Sequence, residues 1–232
     1  MSKFSEMFLQ SKGFCKKYFK IYFKMLTKPV IIGFIGAISL LLCNFGPIGA
    51  LISLFISIPC LCYAFWQGYL LTYSLIYAGD AYSYNDEPSL IDCFDMAKLK
   101  GNKLALFLLF SMALTLALMF PMLVSLIFSL DIATLQIKPL FYVVAFINSI
   151  ILFPFSNFLN QAFFYKKDEE KFIDLFLNCY KKLNKEGVIL SLVFSLIPAV
   201  LSGICPICYL VIALLLNPFI YFLNTIWYKN RM

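Results

Sequence analysis

Histidine is absent from the 232 residues, and charge is absent from most of them. The first absence excludes histidine metal sites, imidazole general bases and Ser-His or Cys-His nucleophiles. No P-loop or dinucleotide-binding glycine pattern is present either, so no nucleotide or dinucleotide cofactor is expected. Lys, Arg, Asp and Glu together make up 13% of the chain, and none occurs in 29–79, 104–130, 139–165 or 187–228. A charge at the centre of a spanning helix costs about 2.5–3.5 kcal/mol, and stretches emptied in this way are what a bilayer demands. No carboxylate lies within them, which removes the usual device of proton- and ion-coupled transporters.

What is present is apolar. Hydrophobic residues make up 62% and the mean hydropathy is +0.87. The expected fold class is an all-α polytopic membrane bundle, a single membrane domain over 1–232. The charge-free stretches are longer than the roughly 20 residues that cross a bilayer, and two contain turn signals, Asn44-Phe45-Gly46-Pro47 and Ser202-Gly203-Ile204-Cys205-Pro206. Six transmembrane helices are therefore predicted, at about 27–44, 48–79, 104–130, 139–165, 187–202 and 206–228. They form three antiparallel hairpins, and the second helix is long enough to project beyond the bilayer. Lys and Arg number 19, and all but Lys138 fall in 1–28, 80–103, 166–186 or 229–232. By the positive-inside rule these segments and both termini are cytoplasmic, in a prokaryotic cytoplasmic (inner) membrane. The first 28 residues carry seven lysines without a continuous apolar core or a small-residue cleavage site, so no cleavable signal peptide is expected. The basic residues border spans rather than forming a basic domain, so nucleic acid is not an expected partner.

The chain also repeats itself. At a shift of 82 residues, Asp86-Glu87 falls on Asp168-Glu169, Ile91-Asp92 on Ile173-Asp174, Phe94 on Phe176 and Asn102-Lys103 on Asn184-Lys185. The N-terminus gives a weaker copy at a shift of 86, where Glu6 meets Asp92, Phe8 meets Phe94, Lys12 meets Lys98 and Lys17 meets Lys103. Pro154-Phe155-Ser156-Asn157-Phe158-Leu159-Asn160 echoes Pro218-Phe219-Ile220-Tyr221-Phe222-Leu223-Asn224, and Tyr165-Lys166 and Tyr228-Lys229 follow the two copies. The repeat units are 1–79, 80–165 and 166–232, each an amphipathic cytoplasmic-side helix followed by a hairpin. Parallel repeats of this kind give a pseudo-threefold axis along the membrane normal. The predicted apolar faces are Phe4, Met7, Phe8, Ser11, Cys15 and Tyr18; Leu90, Ile91, Phe94 and Ala97; and Phe172, Ile173, Phe176, Tyr180 and Leu183.

Three groups could carry function. Lys12, Lys16, Lys20, Lys24 and Lys28 recur every fourth residue, a row that anionic headgroups would neutralise and that also sets topology. Gln67, Asn157, Asn160, Gln161 and Asn224 punctuate the second helices of the hairpins. They line a central cavity or hydrogen-bond between helices. Cys205-Pro206-Ile207-Cys208 lies at a predicted outer turn, where a helix N-terminus lowers a thiol pKa. Cys205 and Cys208 are thus a candidate redox pair, with Cys43 at the same level as a relay, or else a structural disulfide or buried thiols. Cys43, Cys205 and Cys208 are too few for a closed zinc site, so no metal and no cofactor are expected.

Polar helix plus hairpin, prolines in the later spans and the tail Trp227-Tyr228-Lys229-Asn230-Arg231 resemble the membrane domain attached to some glycerophosphodiester phosphodiesterases and its stand-alone bacterial relatives. The resemblance is architectural. It implies a six-helix bundle without catalytic residues, and the phosphodiesterase barrel is absent, so no hydrolase activity carries over. The expected function is non-enzymatic: a scaffold, an accessory subunit or a lipid-associated factor. Its partners would be a lipid bilayer with anionic headgroups and a membrane protein. The alternatives are an uncoupled small-molecule permease or channel with an amide-lined axis, and a membrane thiol oxidoreductase using Cys205 and Cys208.

Overall fold

A computed structural model describes residues 3–131, 136–137, 141, 143–144, 147–148, 158–166, 171–181, 185, 187–189 and 206–230. The class is all-α; the two-residue strands Leu130–Asp131 and Gln136–Ile137 pair antiparallel, from the last residue of the expected span 104–130 into the segment 131–138. The chain forms two compact units, one of Met1–Gly101 with Asn217–Ile226, the other of Asn102–Leu216 with Trp227–Met232.

The first unit is built on two long helices. Helix α1, Lys3–Ser39, runs 37 residues through Pro29 without a break, about 55 Å at 1.5 Å per residue. The expected polar helix and the first expected span are therefore one element. Its buried face is Met7, Ser11, Phe14, Tyr18, Tyr22 and Leu26, a three-to-four-residue spacing that keeps them on one side of the cylinder. This corrects the predicted face: Phe8 is exposed, while Phe14, Tyr22 and Leu26 are the core positions.

The chain reverses at the expected place. A 3₁₀ turn over Leu40–Phe45 ends at Gly46, whose φ of +83° is open to glycine and strained for other residues. Pro47 then lies in the first turn of α2, Gly46–Tyr82, where its missing N–H is harmless. Contacts climb α1 as they descend α2: Phe14 packs on Tyr82, Gly33 faces Ala64, Gly36 faces Cys60, and the Cys43 thiol donates to Ser53 Oγ at 3.4 Å. The two helices are thus an antiparallel hairpin. Small residues line the seam: Gly33, Gly36 and Ser39 on one side, Ser53, Ser57, Cys60 and Ala64 on the other. A Cβ on Gly36 would lie 2.9 Å from Cys60 Cβ. Such close backbone approach is how helices associate where no water drives them together.

The surroundings of the hairpin change along its length. Between Val30 and Phe65 the large apolar side chains Phe34, Ile35, Leu41, Phe45, Ile48, Leu51, Phe55 and Ile58 are exposed, Phe45 to 79% and Phe55 to 74%. From Leu70 to Gly79, α2 buries Leu70, Leu71, Tyr73, Ser74, Leu75, Ile76, Ala78 and Gly79. Trp66 marks the change, and Lys28 Nζ lies 5.9 Å from the ring of Tyr63, one turn away. The helical run Ser5–Tyr82, turn included, and the stretch Gly101–Phe128 are each long and apolar enough to cross a membrane.

The foot of the first unit is an aromatic core. Phe14 stacks on Phe222 of the C-terminal helix, Pro206–Lys229, with centroids 4.2 Å apart, and Tyr82 meets both rings edge-on. The loop after α2 is pinned to α1: the Tyr18 hydroxyl donates to the Pro88 carbonyl at 2.9 Å, and Lys17 pairs with Glu87. Ser89 then caps α3, Leu90–Leu99, by accepting from the Ile91 N–H. The inward face of α3 is Leu90, Cys93 and Ala97; Ile91, expected inside, is exposed.

The second unit contains α4, Gly101–Ser129 (from Asn102 onward), the helical residues 158–164 and helix Phe172–Lys181. Its described core is also aromatic. Phe107 stacks on Phe163 at 3.9 Å, Phe158 on Trp227 at 4.5 Å, and Tyr165 on Tyr228 at 5.9 Å, planes 9° apart. Among the described side chains of helix Phe172–Lys181, Leu175 and Cys179 are buried, whereas Ile173, expected inside, faces out.

Candidate functional site

Hydroxyl and amide side chains gather in the first unit between α1, α2 and the C-terminal helix, with Tyr22 and Tyr73 buried and Tyr69, Thr72, Asn217 and Tyr221 half-buried. Tyr22 interacts with the Asn217 amide and Tyr221 with the Thr72 hydroxyl. Tyr69 and Tyr73 sit one helical turn apart, centroids at 5.2 Å, so successive turns of α2 present phenols to the same neighbours. The groups joined are hydroxyls and one amide. These exchange hydrogen bonds without carrying charge at neutral pH, which suits fastening three helices. Sequence reading did not single these residues out, although Tyr69, Tyr73 and Tyr77 at four-residue spacing were a visible signal.

The thiols near this foot are held inert. Burial pushes Cys15 up to about 11. Cys93 rises to about 11 through burial first and the nearby Asp92 and Asp86 carboxylates second. Burial likewise lifts Tyr18 and Tyr22 to about 12, the latter opposed by its bond to Asn217. Reactive cysteines need the thiolate near neutral pH, and these two are poor candidates for it. Among the described residues no group of three or more His, Cys, Asp or Glu gathers as a metal site would require.

The expected site residues are distributed as follows. Lys12, Lys16, Lys20, Lys24 and Lys28 all lie exposed on α1. One continuous helix spreads them over about 24 Å of its axis. Of the amides, Gln67 is half-buried and Asn224 buried in the first unit. Asn160 is half-buried and Gln161 fully buried in the second; among the described residues neither polar atom of the Gln161 amide has a hydrogen-bond partner. Asn157 and Cys205 lie outside the described residues, and Cys208 is described only as a backbone position in the C-terminal helix. Cys43 is exposed at the first turn.

Comparison with family models, curated proteins and solved structures finds no match to this chain.

Proposed function

We propose that the chain is a non-enzymatic integral protein of a prokaryotic inner membrane, acting as a scaffold, an accessory subunit or a lipid-associated factor. The observation that carries this is the change along α2. On the turn side of Trp66 the large apolar side chains face outward; on the other side they are buried. Large exposed apolar surfaces require a non-aqueous covering, and Lys28, Tyr63 and Trp66 are the residue types that mark a membrane interface.

The threefold plan draws support from burial. Met7 and Ser11, Cys93 and Ala97, and Leu175 and Cys179 occupy equivalent positions under the shifts of 86 and 82, and all six are buried. Ile91 and its counterpart Ile173 are exposed to almost the same degree, 54% and 53%. Tyr165 and Tyr228, which follow the two echoed segments, stack on one another. Three hairpins entering from one side give six crossings with both termini cytoplasmic, a plan similar to the phosphodiesterase-associated membrane domain. On that plan Lys24 and Lys28 meet anionic headgroups first, and Lys12 and Lys16 stand further from the surface.

The test is purification from native membranes with identification of bound lipid and protein. The chain is expected to resist carbonate extraction, to retain anionic lipid and to bring a membrane protein with it. Recovery in the soluble fraction, or a C-terminal reporter on the outer side, sinks the reading.

One observation favours a permease or channel instead: the unpartnered amide of Gln161 at 0% exposure. Such a group costs about 1–3 kcal/mol, a cost that a pathway for polar solute would justify. Gln161→Leu separates the two. In the structural case it raises thermal stability and leaves solute flux in proteoliposomes unchanged; in the channel case it lowers flux.

A further inference from the structure

We infer that the turn of the α1–α2 hairpin stays in lipid and does not emerge into the far aqueous phase. The inference rests on the membrane reading above and goes beyond it, because a turn between two spans would ordinarily be a wet loop.

Three observations carry it. The first is length. From Gly46 to Trp66 the rise is about 30 Å at 1.5 Å per residue, the thickness of the hydrocarbon core alone; headgroups on both sides bring a bilayer to about 40–45 Å. A hairpin anchored at Trp66 therefore reaches the far edge of the acyl chains and no further. The second is chemistry. Leu40, Leu41, Phe45 and Ile48 are all exposed at the turn, and Asn44 is the lone amide among them. Asn44, Gly46 and Pro47 make the turn itself, and the side chains it turns outward are otherwise large and apolar, unlike those of a loop meant for water. The third is backbone satisfaction. The reversal is made by a 3₁₀ turn leading into helix α2, which keeps peptide groups bonded within the segment, as hydrocarbon requires. Its occupant is thus the acyl-chain region of the far leaflet. One consequence is that Cys43 is withdrawn from any aqueous thiol exchange with Cys205 and Cys208.

The experiment uses full-length protein in proteoliposomes, comparing wild type with Phe45→Trp and with Phe34→Trp, a mid-leg control. Both positions are exposed, so neither change disturbs a packed core. The added tryptophan emission is challenged with acyl-brominated phosphatidylcholine and, separately, with iodide on both sides of the vesicle. The expected result is loss of most of the added emission to brominated lipid at both positions, with little loss to iodide. Quenching of Phe45→Trp by iodide and not by brominated lipid, while Phe34→Trp responds to lipid, overturns the inference and leaves the membrane reading intact. Failure of brominated lipid to quench Phe34→Trp overturns both.

Discussion

The two ends of the α1–α2 hairpin are made of the same residue types, yet one is packed in protein and the other lies open. Phe14 at the foot is fully buried against Tyr18, Tyr82 and Phe222, whereas Phe55 near the turn is 74% exposed. Both ends are apolar, and the foot is held together by side-chain packing while the far end is held by a narrow seam of small residues. The difference teaches that absence of charge reports exclusion of water, not what does the excluding. A protein core and a hydrocarbon layer impose the same ban on ions.

Substitutions break that equivalence. Phe14→Ala opens a cavity in the aromatic foot and should cost about 3–5 kcal/mol, read as lowered thermal stability in detergent; Phe55→Ala should cost far less. Charge reverses the ranking. Phe55→Arg should impair membrane insertion by about 2.5–3.5 kcal/mol, measured as the inserted fraction in a translocation assay. Leu99→Arg, at 83% exposure on α3, should insert normally. Equal costs at the two exposed sites would mean that the far end faces water. Within the seam, Gly36→Ala drives a methyl toward Cys60 and should cost about 1–3 kcal/mol, with partial rescue by Cys60→Gly. Alkali tests the foot in a different way. The unfolded thiols of Cys15 and Cys93 ionise near 9.0, and the folded ones near 11. The stabilisation is therefore complete below about pH 9 and is lost as pH rises toward 11. Unfolding monitored by tryptophan fluorescence should steepen over that window, and Cys15→Ser with Cys93→Ala should flatten it.

How much of this could be read from the residues follows from the same physics. The first turn was legible because Asn44-Phe45-Gly46-Pro47 carries its own mechanism, a positive φ at Gly46 followed by a proline fit for a helix start. The unbroken passage of α1 through Pro29 was not. Lys28-Pro29 looks like a boundary, and the burial of Leu26, Pro29 and Gly36 along one face overrides that local signal. In α3, Cys93 was left off the predicted apolar face though it is a small core residue, and Ile91 was placed inside when it faces out. The division of α2 at Trp66 was legible only as excess length, since the stretch is uniformly apolar on both sides. Of the candidate site residues, the exposure of the lysine row was readable from its spacing. The Tyr22–Asn217 and Tyr221–Thr72 contacts were not, because they join residues 195 and 149 positions apart in a chain folded back on itself.

The uncharged character of the first hairpin also bears on how it could enter the bilayer. Nothing from Pro29 to Gly79 carries an ionised group, so its arrival requires no charge to be hauled across the oily layer. The segment around Asp131 and Lys138 has no such freedom: on the six-span plan proposed above it would have to deliver two ions to the opposite shore. On that plan the first hairpin shares this freedom with the other uncharged pair of expected spans, 187–228, and neither would need help from translocation machinery to carry an ion across.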